Sequence, residues 1–146
     1  ICDDLRSNQS AWAGGSVQYR INILQDWKSA VAKHETALIE ALTIDTGRIW
    51  ETKLEVQIVA SSIDRWCGIA ASFFTEEVQH SSSIPFIKLQ QSLVPFELIG
   101  VISPWNFPLL LSLIDTIPAL LAGCAVVVKP SEVTPRFIAV MQNIID

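Results

Sequence analysis

Residues 98–132 read LIGVISPWNFPLLLSLIDTIPALLAGCAVVVKPSE, and this stretch decides the fold. Leu98 to Ser103 is a short run rich in Ile and Val, the pattern of a buried strand rather than a half-exposed one. Pro104 and Pro108 bracket Trp105-Asn106-Phe107. Each proline fixes its own φ, removes a donor and pushes the preceding residue out of the helical region, so Asn106 sits on a stiff corner. Leu109 to Ala122 has helical composition interrupted at Pro118, with Gly123 as its C-terminal stop. Ala125 to Val128 is a second buried strand that delivers Lys129, Pro130, Ser131 and Glu132 to its carboxyl end. Thr134-Pro135 is expected to open another helix, with a hydroxyl cap and a proline in the first turn. Strand, corner, helix, strand, polar tip, helix is the order of a parallel α/β unit, in which ligands gather at the carboxyl ends of the strands. Asn106 and Lys129 both belong at such ends.

Upstream the pattern is helical. Residues 3–12 suit a short helix, which Gly14-Gly15-Ser16 breaks, with Ser16 available as a cap. Ile21, Leu24, Trp27, Val31, His34, Leu38 and Leu42 recur every three or four residues, predicting one amphipathic helix or two that meet near His34. Gly47, in Asp45-Thr46-Gly47-Arg48, is the left-handed stop. Val56, Val59, Ile63, Trp66, Ala70 and Phe73 predict a long helix over 51–78, whose seam packs on the preceding helix or on another subunit. Residues 81–83 form a loop. Phe86–Leu89 and Leu93-Val94 are expected as strands around a turn at 90–92, kept to edges or ends by Pro85 and Pro95.

Composition narrows the function classes. Half of the 146 residues are hydrophobic and 17% are charged, more apolar surface than an isolated domain easily hides. With a start at Ile1 and an end inside a helical pattern, the expectation is a piece of a longer polypeptide. A net charge of −5, from 10 basic and 15 acidic residues without a basic cluster, argues against a nucleic-acid surface. Cys2, Cys67 and Cys124 match neither a zinc site nor a disulfide framework, so a reducing, cytoplasmic setting is expected, with no metal. Leu98 to Ile114 carries no charge, yet it is shorter than the ~20 residues a spanning helix needs and holds two prolines, so no membrane span is expected.

Pro104-Trp105-Asn106-Phe107-Pro108, followed 23 residues after the Asn by Lys129-Pro130-Ser131-Glu132 and then Thr134-Pro135, resembles the aldehyde dehydrogenase superfamily. Arg20, the 45–48 turn and Glu55-Val56 resemble the helical N-terminal part of the same family. The resemblance implies that the Asn106 amide holds the oxyanion formed when a cysteine thiolate adds to an aldehyde. An oriented neutral donor suits that task. It also implies that Lys129 and Glu132 contact the adenosine ribose of NAD or NADP, with Pro130 and Ser131 beside them. Ile102, Ser103, Pro104 and Trp105 would line the nicotinamide side of the cleft. Strands just before the Pro-Trp-Asn motif form a β arm for subunit contact in this family. Pro95 fits that arm, whereas the glycine expected two residues later is Glu97.

Each sharp reading has a bland counterpart. Asn106 is a residue type that caps helices, and Lys129 taken alone is a solvated lysine at a strand end. The two motifs in register favour the sharp reading for both. Cys124, in an apolar run, reads as a small buried hydrophobe, as does Cys67 on the long helix. The family's nucleophile lies beyond this chain. His34 and His80 have no ligand partners at metal spacing and are structural or exposed.

The expected fold is therefore α/β and aldehyde dehydrogenase-like. Residues 1–80 are a helical N-terminal part of the cofactor-binding domain, 81–97 a β oligomerisation arm, and 98–146 an α/β part of a Rossmann-like NAD(P)-binding domain. The resemblance implies oxidation of an aldehyde to a carboxylate through a cysteine thiohemiacetal and thioester. The parent would be a homo-oligomer, dimer or tetramer, and the fragment alone inactive. Two alternatives stay open: a CoA-acylating or acyl-phosphate-reducing member of the superfamily, or a non-catalytic assembly module acting through the 51–78 seam.

Overall fold

The computed structural model describes residues 1–74, 78–81, 83, 84 and 86–145. The expectations that fall on 75–77, Ser82, Pro85 and the His80 side chain lie outside the described residues. Four helices come first: α1 (Cys2–Gly14), α2 (Val17–Lys33), α3 (Glu35–Thr46) and α4 (Ile49–Phe74). Ser16 caps α2, its hydroxyl accepting from the Tyr19 amide at 3.1 Å. The single apolar stripe is carried by two helices. His34 closes α2 and opens α3, with its Nδ1 2.9 Å from the Ala30 carbonyl oxygen. Gly47 ends α3 at φ +70°, a left-handed conformation that carries the chain straight into α4.

The α4 seam is consumed inside the molecule. Val56, Val59, Ile63, Cys67 and Ala70 are buried among α2, α3 and α5 (Pro108–Ala122), leaving Phe73 exposed at the helix end. Most of the seam is therefore taken up within this chain, while Trp66 is half-buried and Phe73 exposed toward the C-terminal end of the helix. The expected interruption at Pro118 does not occur, because α5 runs through it. A proline inside a helix costs about 3 kcal/mol. Leu109, Leu113, Ile117 and Leu121 are all buried on the same helix, and burial of each contributes roughly 1.5–3 kcal/mol, so packing outweighs the break.

Two small sheets complete the fold. β3 (Leu98–Ile102) and β4 (Ala125–Lys129) pair in parallel, Leu98 opposite Ala125 and Ile102 opposite Lys129, with α5 as the crossover. Both were expected to be buried, but only Val101 of β3 and Ala125 of β4 are. Among the described residues each strand is the edge of a two-stranded sheet, and most of its positions are half-buried or exposed. β1 (Val78–Ser81) and β2 (Lys88–Gln91) form an antiparallel pair, Val78 opposite Gln91. The expected strand at Leu93-Val94 is absent, and its partner is shifted: 88–91 pairs backward with 78–81. All of β2 is exposed, so no buried face imposes the alternation that would have marked the register. α6 (Phe137–Ile145) ends the described chain and seats Phe137 and Met141 in the core.

α1 is stitched to the far end of α5. Gln9 donates to the Gly123 carbonyl at 2.8 Å and Trp12 Nε1 to that of Leu120 at 2.9 Å. The buried Arg20 guanidinium spans both helix ends, donating to Leu121 O at 2.8 Å, Gly15 O at 2.6 Å and Ala13 O at 3.2 Å. These are orphan C-terminal carbonyls of α5 and of the α1 end, the groups a helix leaves unpaired. Gly123 stands at φ +96°, and a Cβ there would lie 3.2 Å from the Ala13 Cα.

Candidate functional site

The parallel pair ends in two neighbouring structures, the 104–108 elbow after β3 and the 129–134 tip after β4. The ladder runs one step past the strands, with Ser103 N donating to Lys129 O at 3.0 Å. Register partners in a parallel pair share a face of the sheet, so Ile102 and Lys129 project to the same side. Both are exposed, Ile102 by 82%.

The elbow is rigid because its backbone is held from several sides. The Ser103 and Ser112 hydroxyls both donate to Pro108 O, at 3.1 and 2.6 Å. The Arg48 guanidinium donates to the Asn106 carbonyl and lies 5.1 Å from the centre of the Phe107 ring. Thr134, expected to cap the following helix, instead turns its hydroxyl toward Trp105 O at 3.4 Å. Glu55, 1% exposed, accepts the Leu110 amide at 2.8 Å and so supplies the acceptor that the first turn of α5 needs. Burial raises the Glu55 carboxyl above its ordinary value, opposed by the α5 amides of Leu110 and Leu109 and by the Arg48 charge.

Asn106 does not cap α5. The N-cap position of α5 is Phe107, and the side-chain acceptor there belongs to Glu55. The Asn106 carboxamide is exposed and makes no hydrogen bond to a described residue. Pro104 and Trp105 are exposed beside it, Trp105 by 60%. Ser103 is different: it is buried with its hydroxyl committed to the elbow, so it offers an approaching ligand backbone rather than side chain.

At the tip, Lys129 and Glu132 form an exposed ion pair at 2.6 Å. The Lys129 hydrogen bond holds the Glu132 carboxyl below its usual range. A pair this exposed is weak and readily re-partnered. Pro130 is half-buried between them in sequence. Ser131 does not join them: it is buried, and its hydroxyl accepts the Val133 amide at 3.2 Å, forming the turn. The first turn of α6 is capped from a distance. Asp45, its side chain 2% exposed, accepts the Arg136 amide at 2.8 Å and pairs with the Arg136 guanidinium.

No thiol stands with these groups. Cys124 is buried at the opposite end of β4, preceding its first residue. Cys67 is buried on α4, where desolvation raises its thiol and makes it a poor nucleophile. Cys2 is free and exposed on α1. Among the described residues no group of three His, Cys, Asp or Glu could hold a metal ion, and no helix is long and apolar enough to cross a membrane.

Asp45, Arg48 and Glu55 are the residues whose roles local sequence reading missed. Their partners lie 91, 58 and 55 residues away, so no spacing rule connects them. The one local signal is Gly47, which marks a turn without saying what its flanking charges reach.

Comparison with known proteins gives a consistent answer. The model of the aldehyde dehydrogenase family matches residues 1–146. A Sinorhizobium fredii protein assigned as an NADP(+)-dependent succinate-semialdehyde dehydrogenase is 33% identical over 129 residues, 87% of this chain and 26% of its own length. The solved structure of PutA from Anabaena variabilis, assigned as an aldehyde dehydrogenase, is 56% identical with a TM-score of 0.95, over 99% of this chain and 31% of that one. That of an NAD-dependent benzaldehyde dehydrogenase from Corynebacterium glutamicum is 26% identical with a TM-score of 0.88, over 98% and 31%. The chain thus spans about a quarter of the length of the curated relatives it matches.

Proposed function

We propose, for a chain that belongs to the aldehyde dehydrogenase family, that it is the N-terminal portion of an NAD(P)-dependent enzyme oxidising an aldehyde to a carboxylate, with Asn106 as its oxyanion donor. The observation that carries this is the Asn106 carboxamide, exposed and without a hydrogen bond to any described residue, on a corner whose backbone Arg48 holds and whose following helix Glu55 caps. A donor that needs no reorganisation when negative charge develops on a carbonyl oxygen stabilises the transition state more than the ground state. Glu55 is not the base of this chemistry. It is sealed inside and occupied by a helix amide.

The residues present fit a dinucleotide. Lys129 and Glu132 offer a donor and an acceptor for ribose hydroxyls at the carboxyl ends of parallel strands, while exposed Ile102 and Trp105 give rings an apolar surface. When bound, the nicotinamide would accept a hydride from the substrate carbon. Pro104 and Pro130 hold the two chain directions, the Ser103 backbone closes the ladder, and the buried Ser131 shapes the tip. Lys129 suits a 2′-phosphate and Glu132 a free hydroxyl, so either NAD or NADP is accommodated. The thiolate and the base come from elsewhere in the parent, a cytoplasmic homo-oligomer, dimer or tetramer, joined through the 81–97 arm.

The test is made in the full-length parent. Asn106→Ala lowers kcat/KM for aldehyde oxidation by about 10²–10³-fold while dinucleotide affinity holds, as expected for loss of one oxyanion donor. An unchanged kcat in that variant sinks the assignment. A rate that requires CoA would move the parent to the acylating branch.

A further inference from the structure

We propose that the turn Asp45-Thr46-Gly47-Arg48 is a two-ended brace that sets where Asn106 stands relative to the Lys129–Glu132 tip, with Arg48 and Asp45 as positioning residues. The inference rests on the reading of Asn106 and Lys129 given above.

Past the last ladder bond, Ser103 N to Lys129 O, little joins the elbow to the tip directly. Among the described residues the one hydrogen bond between them is the long 3.4 Å contact from the Thr134 hydroxyl to Trp105 O. The 45–48 turn grips both. At one end, Arg48 donates to the carbonyl of Asn106 itself and covers the Phe107 ring. Holding that carbonyl fixes the peptide plane that follows Asn106 and so anchors one end of the residue that carries the carboxamide. At the other end both Asp45 carboxylate oxygens go to Arg136, one to its amide at 2.8 Å and one to its guanidinium. That anchors the start of α6, and hence the short 129–136 segment that carries Lys129 and Glu132.

The two ends are coupled by the local backbone. Gly47 at φ +70° makes the link between α3 and α4 short, and its neighbours add bonds: Thr46 Oγ1 donates to Leu42 O at 2.7 Å and accepts from Arg48 N at 3.3 Å. The turn is therefore stiff, and its two charged residues reach in different directions. Asp45 is nearly sealed at 2% side-chain exposure, which exceeds what an ordinary surface cap requires. Neither residue touches a reacting atom; each acts through another group.

Kinetics of the full-length enzyme separate the two ends. Arg48→Met lowers kcat for aldehyde oxidation by about tenfold with KM for NAD(P) within about twofold, since small misplacement of a catalytic group costs rate rather than cofactor affinity. Arg48→Lys does not restore kcat, because an ammonium lacks the planar fork that both donates and stacks. Asp45→Ala raises KM for NAD(P) and its dissociation constant severalfold, and Asp45→Asn, whose carboxamide oxygen still accepts the Arg136 amide, recovers most of it. Val59→Ala, a core truncation away from the turn that lowers Tm, moves neither parameter. If Arg48→Met fails to fold, Arg48→Lys carries the kcat half of the split, and if Asp45→Ala fails to fold, Asp45→Leu, similar in size but unable to accept the Arg136 amide, carries the KM half. The brace is overturned if Arg48→Met keeps kcat within twofold, or if the Arg48 and Asp45 variants shift kcat and KM together in proportion to their loss of Tm. Should wild type oxidise no aldehyde with NAD(P), or Asn106→Ala keep its kcat, the functional reading falls and the brace with it. Loss of activity in Asn106→Ala beside intact Arg48 variants removes the brace alone.

Discussion

Glu55 shows how one buried residue can support the proposed site without touching it. Its carboxylate receives the Leu110 amide in the first turn of the helix behind the elbow, in surroundings that disfavour its charge. Because the folded state raises the pKa of this acid, folding binds its proton more tightly than the unfolded chain does. The stability it contributes is complete below the ordinary value of 4.5 and declines as pH rises through the raised value. Glu55→Gln keeps an acceptor for Leu110 and removes the titration, so its stability relative to wild type improves from pH 4 to pH 8. Urea midpoints of the two proteins across that range provide the check, and a constant difference refutes the assignment. Local reading noticed Glu55 only as part of a family likeness, since a glutamate on a helix has no mark that it will cap another helix 55 residues away.

At the scale of elements, α1 is held less by apolar contact than by polar stitching. Gln9 and Arg20 are buried and Trp12 half-buried, and all three donate to carbonyls at helix ends. Burial lowers the Arg20 pKa, against which the neighbouring Cys124 works weakly, yet an arginine stays charged under any working condition. Replacing it leaves several carbonyls inside without donors. Arg20→Met is therefore expected to destabilise by about 2–4 kcal/mol, in line with the cost of unsatisfied buried groups. Arg20→Lys recovers little, because one ammonium cannot span Leu121, Ala13 and Gly15. Hydrogen exchange should show α1 losing protection first. If α1 stays protected in Arg20→Met, the stitching is dispensable.

For the molecule as a whole, surface area is the informative quantity. The chain exposes 9116 Å², where a compact monomer of its mass is expected to expose roughly 7,400 Å². Part of the excess is a groove of about 610 Å³ between α2, α5, β4 and α6, lined by Trp27, Val126, Val128 and Met141. More lies along 86–96, where Phe86, Val94 and Phe96 are 96, 83 and 74% exposed. The isolated 146 residues are expected to bind an apolar dye such as ANS, to associate in light scattering, and to produce no NAD(P)H from aldehydes. A monodisperse monomer that leaves the dye dark contradicts the surface argument, and NAD(P)H formation that survives Cys124→Ser contradicts the division of catalytic groups.

The sequence by itself determined most of the helices, the proline-framed corner and the strand ends at which the proposed site lies. Helical stripes, the left-handed glycines at 47 and 123, the proline-framed corner and the two apolar strands are local signals, and local backbone preference and periodicity are enough to read them. Tertiary structure alone decided what holds those ends in place and which faces remain open. Arg48 on Asn106, Asp45 on Arg136 and Glu55 on Leu110 are contacts across 55 to 91 residues. Burial of β3 and β4, continuity of α5 through Pro118 and the register of the β1–β2 pair depend likewise on neighbours brought together by folding. A hydrogen bond or an apolar contact depends on distance in space, and spacing along the chain reports that distance only within a turn or two.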